Sequence, residues 1–154
     1  DLITSISPDE RIFIAKLSKS SLVNQRLISF KLMKDENDLD LIHALMNSML
    51  SVFLLEALGF GRGLGVLDLN ATNLKNKFKI LNSKLLNNED KKQIKNLFNP
   101  ILKREIKPLL EEIDMPDRIK FEEQVLKSFS ISNIKEDLKN SLTKMHQIRK
   151  SVNK

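Results

Sequence analysis

Asn47–Leu69, NSMLSVFLLEALGFGRGLGVLDL, is the stretch around which the chain is organised. It reads as the end of an apolar helix, a glycine-dense turn and a short strand, Val66–Leu69. All four glycines of the chain, Gly59, Gly61, Gly63 and Gly65, fall in that turn. Glycine suits backbone at φ > 0 or close approach by another group, and elsewhere it costs conformational entropy. The tight geometry is therefore gathered at one bend, which becomes the first candidate for function.

Upstream, Leu39, Ile42, Leu45, Met46, Met49, Leu50, Phe53 and Leu54 recur at spacings of three and four. Ala44, Val52, Leu55 and Ala57 widen the stripe nearly all round, so the pattern predicts one helix from Asn37 to the glycines, buried on most sides. Asn37 is its expected cap, with Asp40 in the first turn. Asn47 and Ser48 are expected to cap a neighbouring backbone edge, His43 to be structural, and Glu56 to pair with Arg62. Ile12–Leu17 and Leu27–Leu32 read as strands, the second alternating apolar and polar residues. The loop between them carries Lys19 and ends near Arg26.

Downstream, Asn70–Asn73 reads as a turn or one helical turn and Phe78–Leu81 as a last strand. From Leu85 on, only helix patterns remain: Asn88 to Phe98; Asn99-Pro100 to Ile113, with Pro108 inside; Pro116 to Phe129; Ile134 to Val152 behind an Asn133/Glu136 capping box. The last helix shows an apolar stripe of Leu138, Leu142, Met145 and Ile148, and His146 reads as solvated. The expected fold is α+β: a small mixed or antiparallel sheet around the long helix in residues 1–84, and an all-helical subdomain over 85–154.

Length fits one domain with a substantial core. Cysteine is absent, which removes thiol chemistry and disulfides and fits a reducing, intracellular setting. No apolar run reaches the ~18 residues of a membrane span. The chain starts at Asp1, so it is expected to be part of a longer protein. Residues 1–65 carry 7 Lys/Arg and 8 Asp/Glu, whereas residues 66–154 carry 19 and 12. That excess points to an anionic partner, nucleic acid first, although lysine-rich composition also arises without one.

The turn, G-F-G-R-G-L-G, departs from nucleotide cradles. It has Leu64 where the third glycine of G-x-G-x-x-G would fall, and it follows a helix rather than a strand. No Lys-Ser/Thr follows it, as a P-loop requires. A close-approach loop that presents Arg62 and Phe60 fits better, because arginine binds phosphates and guanine edges.

The string Leu41–Leu69, LIHALMNSMLSVFLLEALGFGRGLGVLDL, resembles the "alLNSsl…lE..gr..gGG.ldl" region of TaqI-like adenine-N6 DNA methyltransferases. Thr72–Ser83 resembles the family's "l..lpi.nP" segment, and Pro116–Glu122 its "DR..lD" helix start. Leu142–Val152, LTKMHQIRKSV, resembles its closing "l..lv..R..sv". The likeness keeps order and spacing over most of the chain from Arg26 on. Arg62 and Leu64 interrupt the usual triple glycine, and Glu122 stands where aspartate is usual.

In that family this region is the target-recognition part, C-terminal to the catalytic domain. The resemblance implies sequence-specific binding of double-stranded DNA within a restriction-modification system. The family's Asn/Asp-Pro-Pro-Tyr/Phe motif is not matched here; Asn99-Pro100-Ile101-Leu102 lacks the second proline and the aromatic residue. Its S-adenosylmethionine motif is also missing, so catalysis and cofactor are expected in a separate domain of the same polypeptide. The candidate DNA contacts are Arg62, Lys75, Lys77 and Lys79, with Lys19 and Arg26 behind them. The alternative is a helical protein-interaction module that uses the stripe of the last helix.

Overall fold

The fold is α+β, with a small antiparallel sheet near the N-terminus and helices throughout the second half. The computed structural model describes residues 1–19, 21–32, 38–62 and 65–151. Strands β1 (Leu2–Ser5), β2 (Ala15–Lys16) and β3 (Leu27–Phe30) pair antiparallel in the order β2-β1-β3. β1 is not anticipated in the sequence; Leu2 and Thr4 turn inward, and the Thr4 hydroxyl donates to the Phe13 carbonyl at 2.8 Å. The strand expected over Ile12–Leu17 shrinks to two residues. Ile14 gives its backbone N–H to Asn47 Oδ1 and its carbonyl to Asn47 Nδ2, both at 2.9 Å, so a side chain replaces a strand partner there.

The single long helix is not observed. It divides into α1 (Leu39–Met46) and α2 (Met49–Leu58), set at 62° to each other. Asn47 and Ser48 make the break. Ser48 caps α2, accepting from Ser51 N, and its hydroxyl donates to Leu45 O at 2.7 Å. Serine and asparagine compete with helical backbone bonding in this way, which suits them to caps and turns. Asp38 caps α1; the cap expected at Asn37 lies outside the described residues.

After α2, strands β4 (Phe60–Gly61) and β5 (Leu67–Asp68) pair antiparallel across the glycine bend. Helix α3 (Ala71–Lys77) follows, capped by Asn70, and is longer than the turn or single helical turn expected there. The expected strand Phe78–Leu81 is not formed. Phe78 ends α3 and lies with its ring 6.2 Å from that of Phe30.

Helix α4 (Asn88–Lys103) runs straight through Pro100, so Asn99-Pro100 is no helix start. Asn87 is the cap, and buried Ile94 and Phe98 hold the helix despite the N–H that proline removes. Pro108 precedes the short α5 (Leu109–Glu112) rather than lying inside a longer helix. Helix α6 (Pro116–Ser128), with proline at its first position, follows the expected pattern. Helix α7 (Lys135–Ser151) is entered through a 3-10 turn over Ser132–Ile134, so Asn133 lies inside that turn and the expected Asn133/Glu136 capping box is not formed.

Two cores meet on α1. One joins Leu2, Ile14 and Ile28 to α2, β5, α6 and α7 through residues such as Val52, Leu67, Leu126 and Leu142. The other packs Leu41, Ala44 and Leu45 against Ile94, Phe98, Phe121 and Val125. The first draws on both sides of residue 84. Among the described residues no single helix is long and apolar enough to cross a membrane.

Candidate nucleic-acid interface

The glycine bend is fixed by what packs on it. A Cβ at Gly59 would lie 2.7 Å from the buried Leu67 side chain, so that glycine answers a close approach. Gly65 sits at φ 68°, a left-handed conformation that glycine adopts without strain. Gly61 has open space around it apart from Arg149 Cγ at 4.0 Å. Gly63 lies outside the described residues.

Arg149, on α7, clamps the bend. Its Nε donates to Glu56 Oε1 at 2.6 Å, its Nη1 to the Gly65 carbonyl, and its Nη2 to the Asp9 carbonyl at 3.0 Å. Glu56 therefore pairs with Arg149 and not with Arg62. Beside it, His146 is buried, not solvated. Its Nδ1 accepts from Arg149 at 3.0 Å, and burial, helped by the charge of Arg149, holds its pKa below the usual histidine value. α7 turns Leu138, Leu142, His146 and Arg149 inward, while Ile148, expected on the apolar stripe, is 57% exposed.

Arg62 projects from the outer end of the β4–β5 ribbon. Its backbone N–H donates to Val66 O at 2.8 Å, and its guanidinium meets Asp68 at 2.6 Å with 63% of the side chain exposed. Asp68 itself is buried and also accepts from the Ser7 hydroxyl at 3.3 Å. Arg62 is thus aimed outward and held by one carboxylate.

Lys75 and Lys77, on the last turn of α3, and Lys79 beyond it are exposed. Lys19 and Arg26, in and after the loop between β2 and β3, are exposed too. Lys75 and Lys31 line an open groove of about 480 Å³ with Phe30, Leu74, Phe78 and Ile80. Lys19 and Lys31 line a neighbouring cleft of about 340 Å³ that shares Phe30 and Leu39 with the groove. Lys19, Lys31 and Lys75 therefore surround Phe30; Arg62, Lys77, Lys79 and Arg26 line neither cleft. Lys31 was not singled out in the sequence, although its alternation with Phe30 and Leu32, in the strand expected over Leu27–Leu32, carries the signal.

A second charged group is buried on the other side of α1, and no spacing in the sequence announced it. Arg104 grips Glu112 (2.8 and 2.9 Å) and Asp117 (2.6 and 3.1 Å), each through two bonds. Those bonds hold Asp117 below the usual carboxylate range; Glu112, which burial alone would push up, is brought below it by Arg104, Arg11 and Arg118. Arg118 donates from Nη2 to the Asn47 carbonyl at 2.5 Å and contacts Glu122 Oε1 at 2.6 Å. Glu122 Oε1 also accepts the Met49 N–H at 2.8 Å, at the start of α2. Arg11 reaches Glu112 at 3.4 Å, and burial followed by repulsion from Arg118 lowers its pKa to about 10. His43 donates from Nε2 to the Ile14 carbonyl (2.8 Å), a structural role as expected; burial keeps its pKa low.

Among the described residues no group of acidic, histidine or cysteine side chains is arranged to hold a metal ion. No protein-family model, curated protein or solved structure matches this chain.

Proposed function

We propose that this chain is the target-recognition part of an adenine-N6 DNA methyltransferase, gripping and reading double-stranded DNA beside a catalytic domain of the same polypeptide. That domain would bind S-adenosylmethionine and take the adenine out of the stack, because its amino group is out of reach in the duplex. The setting that follows is the cytoplasm of a bacterium or archaeon, on DNA, with no membrane.

One observation carries the reading. The strings that resemble the family are far apart in sequence, yet their polar residues bind one another. Asn47 of the first string receives Arg118 of the third, whose Glu122 caps Met49; Glu56 and Gly65 of the first are bound by Arg149 of the last. Residues that share one scaffold fit a likeness of fold, and a scaffold leaves recognition to what it displays. Here that is Arg62 and the lysines of α3, with Lys19 and Arg26 at the sheet. Lysine and arginine fix the protein on phosphates, while side chains aimed at base edges supply specificity.

Fluorescence anisotropy of a labelled duplex, titrated with the chain at low salt, tests this. Binding at about tens of micromolar or tighter, weakening as salt rises, is expected for half of a clamp. No change in anisotropy at that concentration contradicts the proposal.

A further inference from the structure

A cleft of about 370 Å³ lies between the segment Arg11–Lys16, the end of α4 and the start of α6. Its charged lining is lopsided: Arg11, Lys16, Arg104 and Arg118 face one carboxylate, Glu112. Most of these groups are spoken for. Lys16 pairs with Asp40, Arg104 with Glu112 and Asp117, and the Asn47 side chain is used by Ile14 and His43. Arg11 and Arg118 are only partly so: Arg11 Nη2 meets Glu112 at 3.4 Å, and Arg118 Nη2 is held by the Asn47 carbonyl and Glu122. Their side chains are 8% and 2% exposed, and the Nε and Nη1 of each find no hydrogen-bond partner among the described residues.

Among the described residues, these four buried donor nitrogens stand against one unpartnered buried acceptor, Glu122 Oε2. Buried donors without acceptors are costly, roughly 1–3 kcal/mol each. A group that only accepts, such as an oxyanion, corrects that imbalance, and arginine forks suit phosphate. The walls above are apolar: Phe13, Leu102 and Ile106 are all exposed and line the same cleft with Phe98. An exposed aromatic ring beside a cationic floor suits a planar base joined to a phosphate, and the volume falls in the range of about 300–1,000 Å³ usual for small-molecule sites.

We propose that this cleft binds a nucleoside monophosphate, its phosphate toward Arg11 and Arg118 and its base against Phe13 and the Leu102–Ile106 wall. The site is separate from the surface proposed for DNA and stands whether or not that reading holds. The arginine side chains shift locally to meet the phosphate.

The test uses the ¹⁵N-labelled chain and three probes: inorganic phosphate, 2′-deoxyadenosine monophosphate and uncharged 2′-deoxyadenosine. The nucleotide is expected to move the Nε–Hε signals of Arg11 and Arg118 saturably, phosphate to do so at least roughly tenfold more weakly, and the nucleoside not at all. Arg11→Gln should weaken nucleotide binding by about tenfold or more. Ile106→Asp, a change at an exposed wall that leaves the buried arginines in place, should weaken it by a similar factor and covers the case in which Arg11→Gln does not fold. Signals unmoved by any probe up to about 10 mM, or an Ile106→Asp chain that binds like the parent, overturn the proposal. Phosphate binding as tightly as the nucleotide overturns the part assigned to the apolar wall.

Discussion

Arg149 and Arg62 lie on either side of the same glycine bend and do opposite things. Arg149 is buried, with Glu56, Gly65, Asp9 and His146 around it. Truncating one partner of such a pair leaves the other charge buried, so Arg149→Met should cost about 3–5 kcal/mol in urea unfolding. Arg62 is itself mostly exposed but pairs with the buried Asp68, which keeps the Ser7 hydroxyl as a donor, so Arg62→Ala should cost about 1–2 kcal/mol. In duplex binding the order reverses among folded variants: Arg62→Ala weakens it directly. Gly59→Ala drives a methyl group into Leu67 and should cost about 1–3 kcal/mol by the same unfolding measurement. Two buried histidines set a pH limit. His43 and His146 both have folded pKa values below their unfolded ones, burial being the first cause. Such groups stabilise the fold above the unfolded pKa, and that contribution is lost as pH falls through the folded pKa. Around His146 the charges are Arg149, Glu56, Glu10 and Lys150, of which Arg149 acts most strongly against protonation. The melting temperature should hold near pH 7.5 and decline from about pH 6.5 downward. His146→Gln should flatten part of that decline.

At the scale of elements, the Asn47–Ser48 break decides the layout. Asn47 ends α1, supplies Ile14 with both backbone partners, and gives its own carbonyl to Arg118. Asn47→Ala would leave the buried Ile14 N–H without a partner, while the Ile14 carbonyl keeps His43 Nε2, at a cost of about 1–3 kcal/mol, measured by urea unfolding. Asn47→Asp should cost no less, since it keeps an acceptor for Ile14 N–H but loses the donor. The sequence made the apolar helix legible because its periodicity depends on neighbours within the element. It did not reveal the 62° bend, because apolar spacing runs on across Asn47 and Ser48. Pro100 misled in the opposite sense. A proline behind asparagine reads as a helix start, and only the burial of Ile94 and Phe98 explains why α4 continues past it. α7 shows the same limit. His146 and Arg149 lie on its inner face because ion pairing, and not hydrophobicity, settles them there.

The whole molecule separates scaffold from surface. Glu122 of α6 binds the Met49 N–H at the start of α2 and Arg149 of α7 pairs with Glu56 near its end, while the basic residues of α3 and the bend face outward. The fold class was readable from strand and helix patterns. So was the glycine bend as a site of close approach, through Gly59 against Leu67 and Gly65 at positive φ. The grouping of Lys19, Lys31 and Lys75 around Phe30 was not, since it depends on α3 packing beside β3. The cleft with Arg11 and Arg118 was equally hidden, because its lining comes from four distant segments. The central claim concerns the outward-facing charge, and the slope of log K against log salt measures it. For the parent chain and a Lys75→Gln, Lys77→Gln, Lys79→Gln variant, duplex anisotropy should be followed over a salt series. If the three lysines each hold a phosphate, the slope falls by about three in the variant while its unfolding curve stays unchanged; equal slopes for the two chains would contradict the assignment of this surface to DNA.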